Sequence, residues 1–178
     1  SGGGQVAYRD AQRCGARPGR ALEQRAGGAV RQVHQDYVAA GAEVITANTF
    51  RTHERSLAAG GLPRQAAHWT AVAVELAREA TQDRAYVAGS QAPLEDCYEP
   101  HRTPPADALA AEHAAMAANL AAAGVDLLLV ETQPTIREAV AAAQAAIATG
   151  LPVLVSFVCG RDGKLLSGEP LADAVAAV

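Results

Sequence analysis

Aromatic residues are scarce in this chain, 4% of 178 residues, so its core cannot rest on ring packing. It has to be built from Val, Leu, Ile and Ala. Much of the 49% apolar content is alanine, which favours helix but buries little area per residue. Cysteine is rare too. Cys14, Cys97 and Cys159 stand far apart without CxxC or Cys/His ligand spacing, and their odd number speaks for reduced thiols rather than a disulfide framework. There is no stretch of about 18 apolar residues to cross a membrane and no basic-then-apolar leader. Nor is there a basic stripe, and a net charge of −4 disfavours a nucleic acid or an anionic membrane as the main partner. These absences predict a cytoplasmic protein without nucleic-acid or membrane partners, folded as one domain over residues 1–178.

What is present is repetition. Three times an alanine-rich stretch ends in glycine, enters an apolar run and stops at polar residues: AAGAEVITANTF, AAGVDLLLVETQ and ATGLPVLVSFVC. Gly41, Gly124 and Gly150 sit where a helix end needs a left-handed residue. The runs after them, Val44 to Ala47, Leu127 to Val130 and Val153 to Val155, are short and unalternating, as parallel strands buried on both faces are. A fourth strand is predicted from Ala85 to Ser90.

Helices are predicted from about Gly28 to Gly41 (buried stripe Val30, Val33, Tyr37, Val38), and from Pro63 to about Ala80 (Trp69, Val72, Ala73, Leu76). Others run from Asp107 to Ala123 and from Pro134 to Gly150, and one starts in SGEPLADAV. The proline-rich segment QAPLEDCYEPHRTPPAD reads as a long strand-to-helix loop. The first 28 residues carry no strand-like run and are read as poorly ordered. Four strands alternating with helices predict an α/β fold with a parallel sheet of the barrel type. It is incomplete, because a closed eight-unit barrel takes about 250 residues.

Chemistry in such folds gathers at the carboxyl ends of the strands. Glu131, directly after LLLV, is the sharpest candidate: a carboxylate leaving a buried strand can meet a ligand amine or a metal, or simply form a capping or salt-bridged pair. Asn48 and Thr49 offer an amide and a hydroxyl that could hold a ligand carboxylate, or turn-forming side chains. Thr46, Thr132, Ser90 and Ser156 are further strand-end hydroxyls, and neither serine has a nucleophile elbow. His113, on a face with Leu109, Met116 and Leu120, and His34, beside Val33, read as satisfied core histidines. The opening SGGG has no strand before it and no helix after it, so it is a poor phosphate loop.

Taken together, RQVHQDYVAAGAEVITANTF, AVELAREA, YVAGSQAPLEDCY, NLAAAGVDLLLVET and PVLVSFVCGRDGKLLSGEPLADAV resemble the homocysteine S-methyltransferase family, in order, from about Val30 to Val178. The resemblance implies a (β/α)8 barrel of which strands 2 to 5 are clear. It implies methyl transfer from a sulfonium or related donor, such as S-methylmethionine, to the thiol of homocysteine, giving methionine. It assigns Glu131 to the amino group of homocysteine. Asn48, Thr49, Thr132, Ser90 and Ser156 fall to the same substrate mouth. The complete family member would hold zinc on three cysteine thiolates, which activates the substrate thiol. None of Cys14, Cys97 and Cys159 occupies such a position, so this chain is expected to bind no zinc and to be inactive by itself. The family's Asp-Gly-Gly opening has only Ser1-Gly2-Gly3 as its counterpart. The alternative is a non-catalytic half-barrel remnant that binds or self-associates through open sheet edges. A barrel enzyme acting on a phosphorylated metabolite is disfavoured, because no glycine-rich phosphate loop follows any strand.

Overall fold

The computed structural model describes residues 20–178. In chain order its elements are α1 (Arg20–Ala39), β1 (Val44–Ala47), α2 (Glu54–Ala59), α3 (Ala66–Thr81), β2 (Tyr86–Gln91), a single 3-10 turn (Pro100–Arg102), α4 (Ala106–Ala122), β3 (Leu127–Gln133), α5 (Ile136–Ile147), β4 (Val153–Phe157) and α6 (Leu171–Ala177). The strands form one parallel sheet in the order β1-β2-β3-β4. Sequential order in a parallel sheet means that every return runs through a helix, which is the predicted α/β barrel-type arrangement.

The repeated glycines behave alike. Gly41, Gly124 and Gly150 have φ of +97°, +83° and +78°. The Gly124 N–H donates to the Ala121 carbonyl, and the Ala42 N–H reaches back to the Tyr37 carbonyl, so the last carbonyls of the helix are satisfied before the chain turns into a strand.

Three expectations need correction. Helix α1 begins at Arg20, not near Gly28, because Ala21, Leu22, Glu23, Gln24 and Arg25 are good helix formers that carry it back. Gly27 sits inside it where a Cβ would stand 3.4 Å from Leu76 Cδ2, so glycine lets α1 lie close to α3. Residues 1–19, the rest of the segment read as poorly ordered, lie outside the described residues. On α1 it is His34 and Val38 that are buried, while Val33 and Tyr37 face solvent. On α3 the helix starts at Ala66 rather than Pro63, and its buried stripe is Thr70, Ala73, Val74, Ala77, Ala80 and Thr81. Small residues win the inward face because they let the helix approach the sheet, leaving Trp69 half-buried at the flank with its Nε1–H on Gln65 Oε1 (3.1 Å).

One face of the sheet is covered by α1, α3, α4 and α5, each packed on the next. There Ile45, Ala47, Val87, Leu128 and Val130 meet Val38, Val74, Ala77, Met116, Leu120, Ala142 and Ala146 in a single cluster. Gly89 is part of this face, where a Cβ would lie 2.8 Å from Leu120 Cδ2 and 3.0 Å from Val125 Cγ1. On the other face, Val44, Tyr86 and Leu154 remain exposed, since among the described residues nothing packs over them. That is the face a barrel turns inward. No helix among the described residues is long and apolar enough to cross a membrane.

Candidate functional site

The alternation of the strands decides which polar groups reach the open face. In β3, Leu128 and Val130 point to the helices, so Leu129 and Glu131 point the other way. From the neighbouring strand, the Ser90 hydroxyl donates to Glu131 Oε1 at 2.5 Å. This fixes one carboxylate oxygen and leaves Oε2 without a hydrogen-bond partner among the described residues, on a side chain that is only half-buried.

Strand β3 does not stop with the apolar run at Val130 but continues through a bulge to Gln133. Val130 pairs with Val155 and Gln133 with Phe157, so Glu131 and Thr132 together stand opposite the single residue Ser156. Thr132 takes φ of +58°. Its N–H donates to Ser156 Oγ at 3.2 Å and its hydroxyl to the Glu131 carbonyl at 2.7 Å. The extra residue flips the alternation: Gln133 is wholly buried, whereas a regular strand would have put it on the open face beside Glu131.

Thr49 is fully buried, and its hydroxyl donates to the Ser90 carbonyl at 2.9 Å, tying the end of β1 to that of β2. Thr49, Ser90, Glu131, Thr132 and Ser156 are thereby linked in one chain of hydrogen bonds across the carboxyl ends of all four strands. Asn48 is exposed and makes no hydrogen bond to the described residues, and Thr46 is exposed on the open face one residue before the end of β1.

A second polar cluster lies behind the sheet, and sequence reasoning found only its histidine. His113 is completely buried, between Gln91 Nε2 (3.2 Å from Nδ1) and Glu138 Oε1 (3.3 Å from Nε2). The arrangement fits a neutral ring that donates from Nε2 and accepts at Nδ1. Glu138 also accepts from the Leu94 N–H at 2.8 Å and the Thr103 hydroxyl at 3.2 Å. Burial pushes its carboxyl up, but the bonds from His113, Leu94 and Thr103 outweigh this and hold it below the ordinary value. His34, by contrast, is not satisfied: its Nε2 is buried without a partner among the described residues, and burial lowers its pKa.

The long loop between β2 and α4 is fastened by this cluster and by arginines. Arg51 donates to the Pro93 and Glu95 carbonyls (3.5 and 3.2 Å), Arg55 and Arg102 pair with the Glu95 carboxylate (3.0 and 2.9 Å), and Arg137 donates to the Thr103 carbonyl. The loop brings Cys97 against Thr132. Burial, with Asp96, raises the Cys97 pKa, while the Arg51 charge opposes the rise. Neither Arg51 nor Cys97 carried a positional signal in the sequence, because both depend on how the loop folds back.

The profile of the homocysteine S-methyltransferase family matches residues 7–178. The chain belongs to the homocysteine S-methyltransferase family. Among solved structures, the homocysteine methyltransferase MmuM from Escherichia coli in its metallated form is 28% identical, with a TM-score of 0.78 over 97% of this chain and 67% of that one. Its oxidised form gives 28%, 0.78, 97% and 66%, and its apo form 29%, 0.66, 83% and 56%. The chain thus spans about two thirds, or less, of the length of these relatives. A comparison with curated protein sequences finds no match. The four parallel strands are part of the family's barrel.

Among the described residues no three His, Cys, Asp or Glu side chains converge as metal ligands. Cys97 is a buried thiol and Cys159 an exposed one, neither in a disulfide. The three-thiolate donor set that the family resemblance implies does not fit these residues.

Proposed function

We propose that this chain carries the homocysteine-binding side of a homocysteine S-methyltransferase. In that reaction the thiolate sulfur of homocysteine forms a bond to the methyl carbon of a sulfonium donor such as S-methylmethionine. The old carbon–sulfur bond breaks, its electron pair neutralises the sulfonium to a thioether, and the thiol proton leaves to solvent. Methionine is the product.

The observation that carries this reading is Glu131. It is the carboxylate at a β3 end on the open face, held through Oε1 by Ser90 and free at Oε2 to accept an ammonium. Asn48, just past the end of β1, offers an exposed amide at the same mouth for the substrate carboxylate, while Thr132 and Ser156 lie on β3 and β4. Ser90 acts on the ligand through Glu131, and Thr49 through Ser90. A zinc centre needs thiolates that the described residues do not supply, so the part argued for this chain is recognition of homocysteine. The free thiols Cys97 and Cys159 fit work in the reducing cytoplasm.

Isothermal titration with homocysteine tests the reading. The protein should bind it, and Glu131→Gln should weaken binding about ten-fold. No binding by the unaltered protein sinks the reading; equal binding by both removes Glu131 from it. A second reading, self-association of a half barrel, is favoured by the exposure of Val44, Tyr86 and Leu154 on one face. Light scattering would support it by finding a dimer that Tyr86→Glu dissociates, and a monomer would exclude it.

A further inference from the structure

We infer that Thr132 and Ser156 are positioning residues, a strained backbone latch that aims Glu131 into the open mouth rather than a pair of substrate contacts. The inference rests on the homocysteine reading only for the identity of the ligand.

A β-branched residue is disfavoured at positive φ, where its Cβ crowds the backbone, and such residues persist when their surroundings hold them. Thr132 has φ of +58° at the bulge, directly after the one acidic side chain that the strand presents to the mouth. Three contacts hold it there. Its N–H donates to Ser156 Oγ, its own hydroxyl donates to the Glu131 carbonyl, and Gln133 Nε2 donates to that same carbonyl at 3.4 Å. Thr132 and Gln133 therefore both clamp the backbone of Glu131, while Ser90 holds its carboxylate from the next strand.

The bulge has a geometric consequence. Without it, Thr132 would turn to the helices and Gln133 to the mouth, two residues on from Glu131. With it, Gln133 is wholly buried, and the open face at this end of β3 is left to the carboxylate. An uncrowded carboxylate suits a primary ammonium, which needs a close, direct partner. Ser156 is the only β4 residue opposite the two bulged residues, so its hydroxyl is the latch's support from that strand.

Two variants separate support from contact. Ser156→Ala removes the acceptor for the Thr132 N–H, and Ser156→Thr keeps it. In Ser156→Ala the Thr132 amide should exchange with solvent at least ten-fold faster, and a crystal structure should show a changed φ at Thr132 with the Ser90–Glu131 bond lengthened. Ser156→Thr should restore both. Homocysteine binding should weaken about five-fold in Ser156→Ala and return in Ser156→Thr. An Ala variant with unaltered Thr132 exchange and backbone overturns the latch, whatever the protein binds. Altered exchange with unaltered homocysteine affinity also overturns it, because the latch would then position nothing. If the unaltered protein binds no homocysteine, the proposed function fails, and exchange and backbone geometry alone decide the latch.

Discussion

The two faces of the sheet use the same kinds of side chain to opposite ends. Behind it, Gln91, His113, Glu138 and Thr103 are all buried and bonded to one another, and they clamp the long loop to α5. In front, Ser90, Glu131, Thr132 and Ser156 are bonded as well, but the chain ends on a carboxylate oxygen turned to the open side. Unmet bonding capacity is costly where water is absent and cheap where water can reach. The polar groups behind the sheet are thus committed to holding the fold, Gln91 Oε1 alone of that cluster being left without a partner among the described residues. Those in front are free to exchange water for a ligand.

Substitutions on the two faces should therefore separate stability from binding. The largest effect is expected from Glu138→Ala, which strands the His113 ring, the Leu94 N–H and the Thr103 hydroxyl; urea denaturation should register a loss of about 4 kcal/mol. Next is pH. Burial, then the Arg51 charge, with Arg55 adding to it and Glu112 opposing, pull the His53 pKa from 6.5 down to about 4. Between those values the unfolded chain binds a proton that the folded one does not. Stability is then complete above pH 6.5 and falls as pH drops toward 4, by about 2 to 3 kcal/mol from this one ring. His53 caps α2, accepting from the Ser56 N–H, so His53→Asn keeps a capping side chain and should flatten that part of the stability curve. An unchanged slope would mean that another group titrates there. Glu138 adds a loss at lower pH: its depressed carboxyl stabilises the fold above the ordinary 4.5 and ceases to as pH passes down through its folded value.

Smaller still is Gly89→Ala, which pushes a methyl against Leu120 and Val125 and should cost about 2 kcal/mol in the same denaturation experiment. The smallest stability change, within about 0.5 kcal/mol, belongs to Glu131→Gln, even as homocysteine affinity drops. If Glu131→Gln destabilised the fold as much as Glu138→Ala, the division between the faces would be wrong.

The repeat of helix, glycine and apolar run made β1, β3 and β4 legible, and β2 followed as the apolar run between two helices, because chain reversal and burial leave a local pattern. Glu131 could be picked out for the same reason, as a charge ending a run that must be buried. Helix faces were less legible. With so much alanine, the side of α3 that approaches the sheet is set by which residues are small, and Trp69 and Val72 drew the expected stripe away from it. The bulge left no trace in the letters ETQ, since threonine is among the last residues to expect at positive φ. The roles of Gln91, Glu138 and Arg51 depend on contacts 22 to 51 positions away and could not be read locally.

The fastening of the loop between β2 and α4 also bears on kinetics. Loops that act as lids have few ties, and their opening and closing can limit the rate of capture and release. This loop is tied to the segment after β1, to α2 and to α5 by arginine and glutamate contacts. Association at Glu131 should therefore follow a single exponential whose rate rises linearly with ligand concentration, with no plateau marking a slow conformational gate.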